Sequence, residues 1–209
     1  MRLVGLVLAL ALAAPVTVHA AAAADTRAHS GFTGVGASGR YRVEVVQGAS
    51  YGVTVDGPDA ARIETRVEGR TLQIRPNNRP WFGVEPAYDV VVRVSAPTIT
   101  DLAVARGGQM RAELTQASAL DLSAAMGAEL DVSGACGDLD ASAAMGATID
   151  AHGLACRSVD ASASMGGDMR VHATESVDAS ASMGGSIRVT GAPAQRETSA
   201  TMGGDISIR

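Results

Sequence analysis

VDASASMGGDMRV at residues 159–171 and VDASASMGGSIRV at residues 177–189 are two copies of one phrase. Each alternates small and polar residues, turns at Met-Gly, and alternates again. Working outward from these copies, the phrase recurs six times. It is anchored at Arg106 in a divergent first copy, then at Met126, Met145, Met165, Met183 and Met202, with spacings of 20, 19, 20, 18 and 19 residues. A nearly fixed period combined with strand-like alternation predicts a β-solenoid, one coil per repeat.

Aligning the copies on the anchor exposes columns. The position after the anchor is always Gly: Gly107, Gly127, Gly146, Gly166, Gly184 and Gly203. Six glycines at one phase predict a corner that needs a positive φ or a very close backbone approach. Two residues before the anchor the column reads Val104, Ala124, Ala143, Ala163, Ala181, Ala200. Four before, it reads Leu102, Leu122, Ala141, Ala161, Ala179, Thr198. After the corner come Met110, Leu130, Ile149, Met169, Ile187, Ile206, and then Ala112, Val132, Ala151, Val171, Val189, Ile208. Alternate residues of a strand point to opposite faces, so each repeat is two short strands with one apolar face apiece. Small Ala on one wall opposes larger Ile, Val and Met on the other, which suits a narrow coil.

Residues 32–94 read as ordinary strands: Tyr41-Arg42-Val43-Glu44-Val45 alternates, as do 51–55, 72–74 and 88–94. Gly48, Gly57-Pro58, Gly69 and Pro76-Asn77-Asn78 punctuate them. No helical period appears past the N-terminus. The chain is therefore expected to be all-β, with N-terminal antiparallel or mixed strands leading into a short-coil parallel β-helix of about six repeats.

Arg2, the apolar residues 3–14 and Val18-His19-Ala20 form the n-region, h-region and cleavage site of a signal peptide. The expected division is a signal peptide over 1–20 (cleavage up to 24), a flexible start over 21–31, an N-terminal β region over 32–100 that caps the solenoid, and repeats over 101–209. The apolar run is too short for a membrane span, and no Cys near the cleavage site offers a lipid anchor. The expectation is an exported soluble protein, periplasmic or extracellular, and not a lipoprotein. The formal charge of −5, with no Lys and no basic cluster, argues against nucleic acid as partner. Aromatics at 3% require a thin core of Ala, Val, Leu, Ile and Met.

The chain from residue 32 to its last residue resembles the putative auto-transporter adhesin head GIN domain family of bacteria. The resemblance rests on Val90-Val91-Val92-Arg93-Val94-Ser95-Ala96-Pro97, on Ile99-Thr100-Asp101-Leu102, and on the repeated Gly-containing coils. It implies an exported β-helical protein. Corners in the family are usually Ser-Gly-Ser-Gly-like, whereas here they are Met-Gly-Gly or Met-Gly-Ala. The family has no agreed catalytic residues, so none are carried over.

Several outward columns bear on chemistry. Five residues before each anchor stand Asp101, Asp121, Asp140, Asp160, Asp178 and Glu197, a carboxylate ladder. Like charges ~4.8 Å apart repel by roughly 0.9 kcal/mol per pair even at water's dielectric. Relief is expected from raised pKa values, from Ser123, Ser142, Ser162, Ser180 and Ser199 two residues on, or from bound cations. Ca²⁺ takes six to eight oxygens in a cage, which a flat ladder supplies poorly; the plain alternative is a solvated acidic face that suppresses aggregation. Asp150, His152 and His172 offer a Zn²⁺ or Cu²⁺ set, opposed by Arg170 beside it, or are simply exposed residues. Cys136 and Cys156, each four residues before a ladder Asp, are expected to stack in consecutive coils. They form either a disulfide or two buried thiols. Trp81 and Phe82 read as a partner contact or as a cap over the core's open end. The strand ending at Arg209, with no cap after it, predicts association into a homo-oligomer.

No Ser-His-Asp or Cys-His set is evident, and no insertion interrupts coils of 18 to 20 residues. The chain is expected to be a non-catalytic adhesin-like or scaffold module acting through surface contacts, without a required cofactor. The alternatives are a polysaccharide-binding or polysaccharide-active β-helix, with glycan as partner, and a divalent-cation-binding surface protein. Ice or mineral binding ranks last, because the outward faces carry charge rather than Thr rows.

Overall fold

The structure, a computed structural model, describes residues 25–78 and 86–209. The signal-peptide reading of residues 1–24, and Trp81 and Phe82, lie outside the described residues. What is described is nearly all β, with one 3-10 turn at Ala60–Arg62.

The repeats make about five turns, close to the about six counted in the sequence. Two walls face each other across the core. On the first wall lie β8 (Asp101–Ala105), β10 (Ala117–Ala125) and the second halves of β11 (Glu129–Ala144), β12 (Thr148–Ser164) and β13 (Asp168–Ser182), followed by β15 (Gln195–Ala200). On the second wall lie β9 (Gln109–Glu113), the first halves of β11, β12 and β13, then β14 (Ser186–Thr190) and β16 (Asp205–Ile208). Neighbours along each wall are parallel, and in register away from the bulges that follow Asp131, Ala151 and Cys156, for example Ala141 with Leu122 and Ala161, or Leu130 with Met110 and Ile149.

The inward columns are buried as the alternation requires. Leu130, Ile149, Ala141, Ala161 and Ile187 expose nothing, and Leu102, Val104, Met110 and Met169 almost nothing. The last copy differs: Thr198 and Ala200 are exposed, and Ile206 and Ile208 only partly covered, because no further coil packs over them among the described residues. A column not evident from the anchor alignment also faces in: Leu120, Leu139, Val159 and Val177, six residues before each anchor.

The N-terminal strands add rungs to the same walls. β2 (Gly34–Ser38) runs parallel to β8, and β3 (Arg40–Gln47) parallel to β9. Beyond them, β6 (Thr71–Pro76) lies parallel to β2, and β7 (Ala87–Ala96) parallel to β3. Antiparallel strands then finish both walls: β5 (Ile63–Glu68) on β6, and β4 (Gly52–Asp56) on β7, with β1 (Asp25–Thr26) on β4. Antiparallel hairpins end the parallel stack at this side, and Phe32, fully buried with its ring 5.1 Å from that of Tyr51, adds bulk to a core otherwise poor in aromatics.

The corners hold two left-handed residues each. The glycines have φ between 68° and 78°, and the anchors before them also have positive φ: Arg106 62°, Met126 57°, Met145 54°, Met165 50°, Met183 48°, Met202 49°. Positive φ at both central positions is the type I′ pattern, closed by bonds such as Gly167 N–H to Ser164 O at 3.0 Å and Gly185 N–H to Ser182 O at 2.9 Å. A second ladder ties corner to corner: the N–H of Gly127, Gly146 and Gly166 donates to the carbonyl of Met145, Met165 and Met183, each at 3.1 Å.

Candidate functional site

The carboxylate ladder on the first wall is in strict register: Asp101, Asp121, Asp140, Asp160, Asp178 and Glu197 are successive partners. Ser123, Ser142, Ser162, Ser180 and Ser199 form a parallel column two residues along. Strand parity turns both columns outward on a flat face, because Leu122, Ala141, Ala161 and Ala179 between them are needed in the core.

Stacking like charges has its electrostatic consequence. The coils above and below displace water from the flanks of Asp121, and Asp101 and Asp140 add repulsion; together they raise its pKa. The same two causes, with Asp140 and Asp178 as neighbours, raise that of Asp160. Thr100 Oγ1 donates to Asp101 Oδ2 at 2.5 Å. A group whose folded pKa is raised binds its proton more tightly in the native state, so stability falls as pH rises through that pKa. We therefore expect Asp121→Asn with Asp160→Asn to raise the thermal midpoint at pH 7, with the advantage shrinking as pH is lowered to about 4. Calorimetry at several pH values checks this. An unchanged or lower midpoint at pH 7 would show that the ladder is not under repulsion.

The second wall is charged differently. Along it Arg93, Glu44, Arg111, Asp131, Asp150, Arg170 and Arg188 are successive register partners. Arg93 bridges Glu44 and Asp56. Arg111 reaches Asp131 at 2.8 Å, and the hydrogen bond and charge of Asp131 raise the guanidinium pKa. An open depression of about 250 Å³ lies over Arg42, Glu44, Gln109, Arg111, Glu129 and Asp131. This wall is largely self-neutralised, whereas on the first, among the described residues, none of the ladder carboxylates is in an ion pair; Arg157 pairs there with Asp138, outside the ladder.

Of the residues of the Zn²⁺ or Cu²⁺ reading, Asp150 and His152 are brought together and His172 is not. His152 Nδ1 lies 2.5 Å from Asp150 Oδ1, and Arg170 occupies Asp150 Oδ2 at 3.0 Å. Burial pushes the Asp150 carboxyl up, but the hydrogen bonds from His152 and Arg170 outweigh it and hold the group below its ordinary range. His172 is elsewhere: its Nδ1 is 3.1 Å from Thr190 Oγ1, and it pairs with Ala155 across a register shift rather than with His152. The physical reason is a length difference. The coil between Met145 and Met165 is two residues longer than the next; the register slips by three residues between Ala151 and Ala155 and recovers one between Cys156 and Ser158. Among the described residues, no group of three or more His, Cys, Asp or Glu is placed to hold a metal.

Cys136 and Cys156 are register partners in β11 and β12, with Cα atoms 4.5 Å apart and their sulfurs bonded. The bridge is buried, its two residues 7% and 1% exposed. Sequence reasoning missed the positive φ of the anchors, because glycine alone was taken to supply it. The signal was there in the Met-Gly pair itself, since two-residue turns of this type need positive φ at both positions.

Among the described residues, no helix is long and apolar enough to cross a membrane. A family model described as "Putative auto-transporter adhesin, head GIN domain" matches residues 31–193. The fold is shared with a crystal structure of a putative adhesin from Bacteroides fragilis NCTC 9343, with a TM-score of 0.69 at 21% identity over 89% of this chain and 96% of that one. A putative lipid binding protein from Parabacteroides distasonis ATCC 8503 matches with a TM-score of 0.47 at 18% identity, over 89% and 96% of the two chains. A putative adhesin from Parabacteroides merdae ATCC 43184 gives 0.46 at 14%, over 90% and 95%. No curated protein matches.

Proposed function

The chain belongs to the putative auto-transporter adhesin head GIN domain family, and from that premise we propose that it is an exported, non-catalytic adhesin-like module that binds through the acidic face of its first wall. One observation carries the reading: an in-register row of six carboxylates with serines beside it, none of the carboxylates forming an ion pair with an arginine among the described residues. Such a face attracts a cationic or cation-bridged partner and steers its approach. Among the described residues, the depressions over Arg111 and over Asp178 are open ones lined by strand residues, which supports contact rather than enclosure of a substrate. The unpaired outer edges of β15 and β16 among the described residues support strand addition by a second copy or a partner.

The test is adhesion of fluorescently labelled protein to bacterial envelopes and to surfaces bearing defined glycans, with the Asp140→Asn, Asp160→Asn, Asp178→Asn triple variant beside it. Saturable binding that is weakened by salt and lost in the variant supports the reading. Binding that the variant retains in full moves the contact off this wall. The raised pKa of Asp121 and Asp160 favours a second reading, in which Ca²⁺ relieves the ladder. Ca²⁺ would then raise the thermal midpoint of the native chain, and Asp140→Asn with Asp160→Asn would abolish the rise.

A further inference from the structure

The anchor column presents a second regular surface, at the corner between the walls. Five of the chain's eight methionines stand there. Met126, Met145, Met165 and Met183 are 45–50% exposed and Met202 80%, and among the described residues the other large exposed apolar side chains are only Val46 and Tyr51. The core does not need these side chains, since the inward columns are filled without them. The backbone does not favour them either. A left-handed conformation costs an L-residue roughly 1–2 kcal/mol, and Gly, Asn or Asp is the cheaper occupant of a type I′ corner. An apolar contact alone would be served by Leu as well as by Met, yet all five side chains are thioethers.

The geometry aligns them. The Gly N–H to Met carbonyl bonds at 3.1 Å stack the corners one coil apart, about 4.8 Å. Three sulfurs around one ion, at metal–sulfur lengths of about 2.3 Å, sit about 4 Å from one another; the corners of Met145 and Met183 are two coils, about 9.6 Å, apart, so their flexible side chains must lean toward Met165 to reach it. Beside the row there is room: a Cβ placed on Gly127, Gly146, Gly166, Gly184 or Gly203 would meet nothing within 4 Å. Arg106 heads the column next to Met126 and disfavours a cation at that end, while the exposed Asp168 follows the Met165 corner. Thioethers are neutral, soft ligands that suit Cu(I) rather than the hard cations Ca²⁺ and Mg²⁺.

We propose that the methionine column is a binding site for a soft monovalent cation, Cu(I), held by the thioethers of Met145, Met165 and Met183. The experiment titrates the full chain with Cu(I) without oxygen, against a chromophoric Cu(I) chelator, with Cys136 and Cys156 kept oxidised and shown to be so by thiol assay. The wild type is expected to withdraw at least one equivalent from the chelator. The Met145→Leu, Met165→Leu, Met183→Leu variant, which keeps the apolar bulk, is expected to be weaker by on the order of 100-fold or more. A redox-stable probe that needs no variant is Ag(I), followed through ¹³C-methyl methionine resonances. The exposed corner methyls should shift while those of buried Met110 and Met169 stay fixed. Failure to compete with the chelator, equal Cu(I) capture by the Leu variant, or corner methyls indifferent to Ag(I) would each overturn the proposal.

Discussion

Leu130→Ala is expected to lower the unfolding free energy by about 2–5 kcal/mol, among the largest effects of any single truncation in the chain. Leu130 is fully buried on the second wall between Met110 and Ile149, in the middle of the stack. Each wall of a narrow coil is fixed by backbone hydrogen bonds to the coils above and below it, so the two walls cannot close over a missing isobutyl group. The cost should depend on position in a way a globular core would not show. Ile206→Ala, on the partly covered last coil, removes a similar side chain but leaves little cavity, and only one neighbouring interface is weakened. Chemical denaturation of both variants checks the prediction. Equal losses at the two sites would contradict a stack stabilised coil by coil.

Replacing both cysteines, Cys136→Ala with Cys156→Ala, is expected to cost about 3 kcal/mol, from the loop-closure entropy of a 20-residue separation. The bridge closes a single coil, so its loss should broaden unfolding as well as lower the midpoint, because two central coils are no longer constrained to open together. Thiol titration of the oxidised native and denatured protein tests the premise: no free thiol should appear in either. Two reactive thiols after denaturation would show the bridge to be absent.

The repeat region was readable because its signals are local and repeated. The inward columns through Ala161, Ile149 and Val171 follow from alternation alone, and the strand-corner-strand unit recurs often enough to align. Three features were hidden for physical reasons. Residues 34–47 form a rung like the others, but their corner is Gly39 and their partners β8 and β9 lie over sixty residues away, so neither spacing nor motif reveals the pairing. His152 and His172 share the same offset from their anchors, and an alignment on anchors stacks them. Only the change of spacing from 20 to 18 residues signals the bulge that separates them. The ladder's register was legible, but the chemistry of its face was not, because charge alone does not distinguish a solvated row of carboxylates from a docking one.

The parallel stacking has a mechanical consequence. The hydrogen bonds between coils run along the long axis, so tension applied along that axis would load them one coil at a time rather than all together. Each yielding coil would release 18 to 20 residues of slack, about 60–70 Å when extended, and dissipate work in steps. The Cys136–Cys156 bond interrupts this peeling. The coil it closes cannot pay out its chain, so a pulled molecule would lengthen from both sides and stop at a covalently pinned middle.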